Sequence, residues 1–241
     1  VAFTSVTEVG TAESAGTAGT TLTITLSAGV AAGHAVIVCG GGFQPVSSVS
    51  DSRGNTYAVA GTASDGSKCG SIAYCASVAT ALSAGDTITI TWASSATNGC
   101  GSAFDVAYTG TFSFDAGATG ATSGTGNASV TTGSTGTLAD PNDLYFMALG
   151  RDGASTVTLT HTTTGLTDGT KVSTSAGTAR SLHTAYKILS GDTSSQTYAG
   201  TLSAARSWGC VLSLFRAVDA SSDLPRGRAV ALQAVARASR W

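Results

Sequence analysis

Residues 69–110 read CGSIAYCASVATALSAGDTITITWASSATNGCGSAFDVAYTG. From Asp86 to Trp92, Ile88, Ile90 and Trp92 alternate strictly with Thr87, Thr89 and Thr91, the period of a strand with one face buried and one in water. Ala73-Tyr74 lies on a strand before this run. Ser102 to Tyr108 forms a strand after it, entered through Gly99-Cys100, with Phe104, Val106 and Tyr108 on one face and Asp105 on the other. Residues 179–219 repeat the order: Ala185-Tyr186, then Ser190-Gly191-Asp192, a strand through Tyr198 to Leu202, and Trp208-Gly209-Cys210 opening a last strand to Phe215. Tyr74 and Tyr186 lie 112 residues apart, Cys100 and Cys210 lie 110 apart. A near-constant offset across three strands marks the duplication of one unit.

Outward from this repeat, the rest of the chain also reads as strand and turn. Phe3 to Val9 is a first strand, with Glu8 and Glu13, the only glutamates, in or just after it. Leu22, Ile24 and Leu26 alternate with Thr21, Thr23 and Thr25, a half-buried strand. His34 to Cys39 has no polar side along Val36-Ile37-Val38 and is expected to be covered on both faces. Leu144 to Leu149 reproduces it in the second half. Between Val49 and Tyr57, Asp51 can accept from the backbone two residues on and Gly54-Asn55 can supply positive φ, so the stretch is expected to be a β-hairpin turn. A cation held by Asp51 and Asn55 is the alternative, but it needs more oxygen ligands than are local. Residues 116–137, almost wholly Gly, Ala, Ser and Thr, look like a linker, within which Asn127 to Thr132 is a candidate first strand of the second unit. Further strands are expected at 155–160, 166–173, 181–188 and 196–202.

The expected fold is therefore all-β: two tandem, pseudo-repeated antiparallel β-sandwich units of jelly-roll-like form, residues 1–115 and 116–219, followed by a tail at 220–241. The tail changes character. Ser221 to Pro225 is a breaker, and Arg228 to Trp241 is rich in residues that permit helix. Its Leu224, Arg226, Arg228, Arg237, Arg240 and Trp241 are candidates for docking on a partner, an aromatic anchor with arginines at the rim. Capping of the chain's own sandwich is the other reading. Nucleic-acid binding has little to recommend it, since four arginines without a groove-reading motif are a weak signal.

Composition narrows the function. Charged residues are 11% of the chain against a usual ~25%, hydrophobic ones 42%, and net charge is −2. Such a chain folds rather than staying disordered. No apolar run approaches the ~18 residues of a membrane helix, so no membrane association is expected. No secretory signal opens the chain, which fits synthesis in the cytoplasm. The five cysteines cannot all pair within one chain, and small buried thiols are the simplest reading, with a disulfide between neighbouring strands as the alternative. His34, His161 and His183 are far apart in sequence, without metal-ligand spacing. No GxSxG elbow, HExxH pair or phosphate loop is present. No catalytic residue, metal site or cofactor is expected, and the chain reads as scaffold rather than enzyme. A carbohydrate-binding role is the alternative, weakened because Trp92 and Trp208 fall on inward faces.

The frame of VSDSRGNTY (49–57), an AY strand, GDTITITW (85–92) and a closing strand, followed by a degenerate copy ending in LFRAVD (214–219), resembles β-sandwich proteins encoded among the structural genes of tailed bacteriophages. The resemblance covers roughly residues 20–219 and rests on strand and turn grammar. It implies a virion component, a capsid decoration or minor tail protein displayed on the particle surface. Its partners would be other virion proteins, further copies of itself and, in the alternative reading, a host-surface glycan. It carries over no catalytic residues.

Overall fold

The computed structural model describes residues 3–118, 120–153, 156–175 and 179–218. These residues form strands and no helix, in two antiparallel sheets. The expected helical tail lies outside them.

The first sheet is built by residues 3–108. Its strands are β1 (Phe3–Thr25), β2 (Ala35–Gly42), β3 (Val46–Asp51), β4 (Ala58–Ser64), β5 (Cys69–Cys75) and β6 (Thr87–Tyr108), in the order β1-β6-β2-β5-β4 with β3 also on β6. β1 and β6 pair along nearly their whole length, so the two short strands expected at Phe3–Val9 and Thr20–Leu26 are one ribbon. Register shifts around Gly19 interrupt it. There it folds over. The 99–106 part of β6 pairs with β2, whereas the 88–92 part pairs with β3. Gly10 and Gly101, in the part beside β2, leave room for Ile24 and Ile90 of the overlying part. A private core fills the fold, with Leu22, Ile24, Ile88, Ile90 and Trp92 on one side and Val9, Val36, Val38 and Ala103 on the other.

The second sheet comes from residues 111–218: β7 (Thr111–Gly117), β8 (Ala121–Thr131), β9 (Leu144–Asp152), β10 (Leu159–His161), β11 (Thr167–Asp168), β12 (Val172–Ser173), β13 (Arg180–Ile188) and β14 (Ala199–Val218). The order is β10-β14-β9-β13-β11, with β7 and β8 on β14 and β12 on β13. Much of the stretch read as a linker is thus strand. Val130, within it, is fully buried opposite Gly200. β7 spans the expected 115/116 boundary and pairs with β14, so the change of sheet falls earlier, at the turn through Thr109 and Gly110. This sheet has its own core, including Val130, Tyr145, Met147, Leu149, Tyr198 and Leu212.

A third core lies between the sheets and draws on both. It explains the two strands that lack a polar side. In β2, Ala35, Ile37 and Cys39 face the shared core while Val36 and Val38 face the private one; in β9, Leu144, Phe146 and Ala148 do the first and Tyr145, Met147 and Leu149 the second. Each strand is covered twice, so neither face can be polar. Aromatic edges meet across the seam, Phe104 on Phe146 at 4.9 Å and Tyr74 on Phe215 at 5.2 Å between ring centroids.

Pairing partners recur in the two sheets at a similar spacing. Ile37 faces Tyr74 and Phe146 faces Tyr186, matching the two tyrosines. Gly41 faces Cys100 and Gly150 faces Gly209, each partner 109 residues further on. Cys100 lies in the shared core and Cys210 in the private core of the second sheet. Gly41 and Gly150 lie against each other at the seam. There the sheets approach closely. A Cβ on Gly70 would come within 2.5 Å of the Ala148 carbonyl oxygen, and one on Gly209 would strike that of Ala63.

The turn after β3 is held as its sequence suggests, yet it is no hairpin. Asp51 Oδ1 accepts from the Arg53 and Asn55 amides at 2.9 and 3.1 Å, Oδ2 accepts from Asn55 Nδ2 and the Tyr57 hydroxyl at 2.9 and 3.0 Å, and Gly54 has φ +78°. β3 pairs only with β6 and β4 only with β5. The turn carries the chain from one layer of the folded sheet to the other, and its two flanks never share a ladder.

Candidate functional site

The residues singled out for docking, Leu224, Arg226, Arg228, Arg237, Arg240 and Trp241, lie outside the described residues. What the structure does assemble is a polar cleft of about 240 Å³ at the open edge of the second sheet, lined by Thr158, Leu159, Asp168, Lys171, His183 and neighbouring backbone. Its two walls belong to different layers. β10, which supplies Leu159, is paired to the 200–202 part of β14, whereas Asp168 on β11 and His183 are joined through β13 to β9.

A chain of hydrogen bonds ties the walls together. His161 Nδ1 lies 2.9 Å from the Tyr198 hydroxyl and its Nε2 lies 2.6 Å from Asp168 Oδ1. Tyr198 is fully buried, while the Asp168 side chain keeps 70% of its exposure, so the relay runs from the private core to the cleft rim.

His183 forms the inner wall and is 8% exposed. Arg151, itself buried, donates from Nε to His183 Nε2 at 3.1 Å and from Nη2 to the Val157 carbonyl at 2.7 Å. Accepting at Nε2 fixes the tautomer: the ring proton is on Nδ1, which has no hydrogen-bond partner among the described residues. Burial, and then the charges of Arg151, Lys171 and His161, pull the imidazole pKa down to about 3, so the ring stays neutral. The same burial, with Arg206 nearby, lowers Arg151 to about 10. The cleft is thus lined by the neutral His183 ring, by the Lys171 and Asp168 side chains and by Thr158.

A second electrostatic feature lies at the start of β9. The Asp143 side chain is fully buried and neither of its oxygens meets a donor. Burial, followed by the adjacent Asp115 carboxyl and the charge of Asp140, pushes its pKa up to about 8. Two carboxylates can only accept, so a proton held on one gives the pair its hydrogen bond. Asp115 also accepts from the Ala139 amide and lies 3.6 Å from Arg216 Nη1.

Other polar residues serve the fold. His34 Nδ1 meets Asp105 at 2.8 Å, which gives the lone strand aspartate its partner. Glu8 and Glu13 both reach the second half, accepting from the Thr170 amide at 3.0 Å and the Ser175 amide at 3.3 Å. The five cysteines are buried and free. Burial raises the thiol of Cys69 to about 11 and that of Cys100 to about 12, far from the thiolate a nucleophile needs. Trp92 and Trp208 are each 3% exposed, inward as the alternation implies. Among the described residues no cluster of three or more His, Cys, Asp or Glu side chains could hold a metal ion, and no helix is long and apolar enough to cross a membrane.

The cleft has no signature in the linear sequence. His161 and His183 sit 22 residues apart on different strands, and only the pairing of β11 and β10 at opposite edges brings both beside Asp168. Compared with family models, with curated proteins and with solved structures, the chain gives no match in any of the three. Fold and cleft together define an all-β protein of two antiparallel sheets with a shared core and a polar edge cleft.

Proposed function

We propose that this chain is a non-enzymatic structural protein of a tailed-phage virion, displayed on the particle as a capsid decoration or minor tail protein. In this reading it is a duplicated pair of jelly-roll-like sandwiches. The supporting observation is the seam: glycine-lined backbone contact and interlocked aromatics join the two sheets into one block with a fixed geometry. A particle component must hold contact surfaces at fixed relative positions, and a seam without slack does that. Its outer layers suit exposure, since Thr21, Thr23 and Thr25 turn hydroxyls to water over a buried Leu22 and Ile24. Capsid or tail proteins and further copies of the chain are its partners, and the 220–241 tail is the docking segment. Mass spectrometry of purified virions tests this: the chain at structural copy number is expected, and its absence from particles overturns the reading. Deleting Leu224 to Trp241 is expected to abolish incorporation; unchanged incorporation removes the tail's role.

The edge cleft favours a second reading, attachment to a host-surface glycan. Mixed donors and acceptors converging on a space for one sugar ring are how small polyols are held. A glycan array with intact protein decides it.

A further inference from the structure

We propose that Asp115 and Asp143 form a pH-operated latch: one proton shared between their carboxyl groups holds the 114–118 end of β7 down, and its loss frees that end from the edge of β14. The geometry has three parts. First, a β-bulge in β7 leaves Asp115 without a ladder partner, since Leu214 faces Ala116 and Phe215 faces Phe114. A bulge re-aims a side chain. Here the Asp115 carboxylate, 7% exposed, accepts from the Ala139 amide at 2.9 Å, in the segment that leads to Asp143. Second, Asp143 is fully buried beside Asp115 and neither of its oxygens meets a donor, while its backbone carbonyl is fixed by the Leu189 amide at 2.8 Å. A buried carboxylate without a donor is costly, whereas a carboxylic acid there can donate to Asp115. Third, the surrounding charges supply no substitute for that proton. Arg216 on β14 lies 3.6 Å from Asp115 and balances one charge, with its Nε given to Ser113. Asp140, in the turn before β9, adds a further negative charge. Lys187 on β13 donates to the Thr164 carbonyl, and Asp192 beyond it accepts from Ser194 and Gln196, so both are engaged elsewhere.

Of the elements meeting here, β7 has the least to hold it. Among the described residues β14 is its one strand partner, whereas the 138–143 segment is bonded to 189–193 through the Leu138, Leu189 and Asp192 amides. Two charged carboxylates therefore part by moving β7. Asp143 keeps its proton up to about 8 in the closed state and only to about 3.9 once in water. Opening thus releases a proton between those values and becomes easier as pH rises, about tenfold per unit.

The test is amide hydrogen exchange in the intact protein, followed by NMR from pH 5 to 8 and corrected for intrinsic exchange rates. The Ala118 amide, which donates to the Leu212 carbonyl at 3.1 Å, reports the latch. The amides of Val36 to Val38, in a strand paired on both sides, report global unfolding. From pH 5 to 6.5 opening at Ala118 is expected to rise about tenfold per unit while that at Val36–Val38 stays level, because the opposing titration of His183 belongs to global unfolding alone. Asp143→Asn, whose amide gives Asp115 a donor at every pH, should flatten the Ala118 profile. The side-chain carboxyl carbon of Asp143 in the wild-type protein should titrate at about 8, a reading that needs no variant. Ala118 tracking Val36–Val38 across the whole range shows global unfolding only and overturns the latch. So does a rise at Ala118 that survives Asp143→Asn, or an Asp143 carboxyl that titrates below pH 6.

Discussion

Gly150 lies against the carbonyl of Cys69 so closely that no Cβ fits between them, and this contact joins the second sheet to the first. Neither residue has room to give, since the obstruction is backbone. Gly150→Ala is therefore expected to cost about 3 kcal/mol or more, the upper range for overpacking. Gly136, around which nothing lies within 4 Å, is the control, and Gly136→Ala should stay within about 0.5 kcal/mol of wild type. Urea midpoints of the two variants check the difference.

Asp51 gathers four donors around one carboxylate, two amides, an Asn55 side-chain N–H and the Tyr57 hydroxyl. Asp51→Ala should destabilise by about 2–3 kcal/mol, as hydrogen bonds to a charged group are lost together. Asp51→Asn, which keeps one acceptor oxygen, should lose less. Thermal melts of the two variants rank them.

Two groups give the protein an uncommon pH profile. Asp143 holds its proton up to about 8 when folded, against about 3.9 unfolded, so between those values the folded state binds more protons and stability falls as pH rises. His183 titrates near 3 when folded and about 6.5 unfolded, so between those values the unfolded state binds more protons and stability falls as pH drops. From pH 4 to 6.5 the slopes oppose and largely cancel. From 6.5 to 8 only Asp143 acts, with a loss of up to about 1.4 kcal/mol per pH unit. Asp143→Asn should remove that loss, leaving stability flat from pH 6.5 to 8 and rising from 4 to 6.5. Urea unfolding across this range reads both slopes.

The thiols offer a further check. All five cysteines are buried and unpaired. A thiol reagent should find none reactive in the native protein on the time scale of minutes, and five after denaturation. Fewer than five in the denatured state would reveal a disulfide.

What the sequence disclosed followed periodicity. Alternation in Thr87–Trp92 and its loss in Val36–Val38 and Leu144–Leu149 report how many faces a strand has covered, and the structure covers them accordingly. Periodicity does not report pairing. Asp51 and Gly54 encode a turn, yet its flanks join different ladders, Val49 with Ile90 and Ala58 with Tyr74, so a layer crossing reads as a hairpin. Trp208-Gly209-Cys210 and Asn98-Gly99-Cys100 look alike, yet Cys100 faces the shared core and Cys210 the private core of the second sheet. The cleft was hidden for the same reason: His161, Asp168 and His183 become neighbours only through two short edge pairings.

If the seam joins the two sheets into one block they unfold together, and two buried tryptophans report on them separately, Trp92 in the first private core and Trp208 in the second. In a Trp241→Phe background, single-tryptophan variants retaining one or the other can be unfolded in urea and followed by fluorescence, with a common probe of secondary structure in both to allow for any difference in stability. Fluorescence and secondary structure are expected to change together at one midpoint in each variant; a tryptophan transition that separates from the loss of strand signal in either would show halves that unfold independently and contradict the seam as the basis of the structural role.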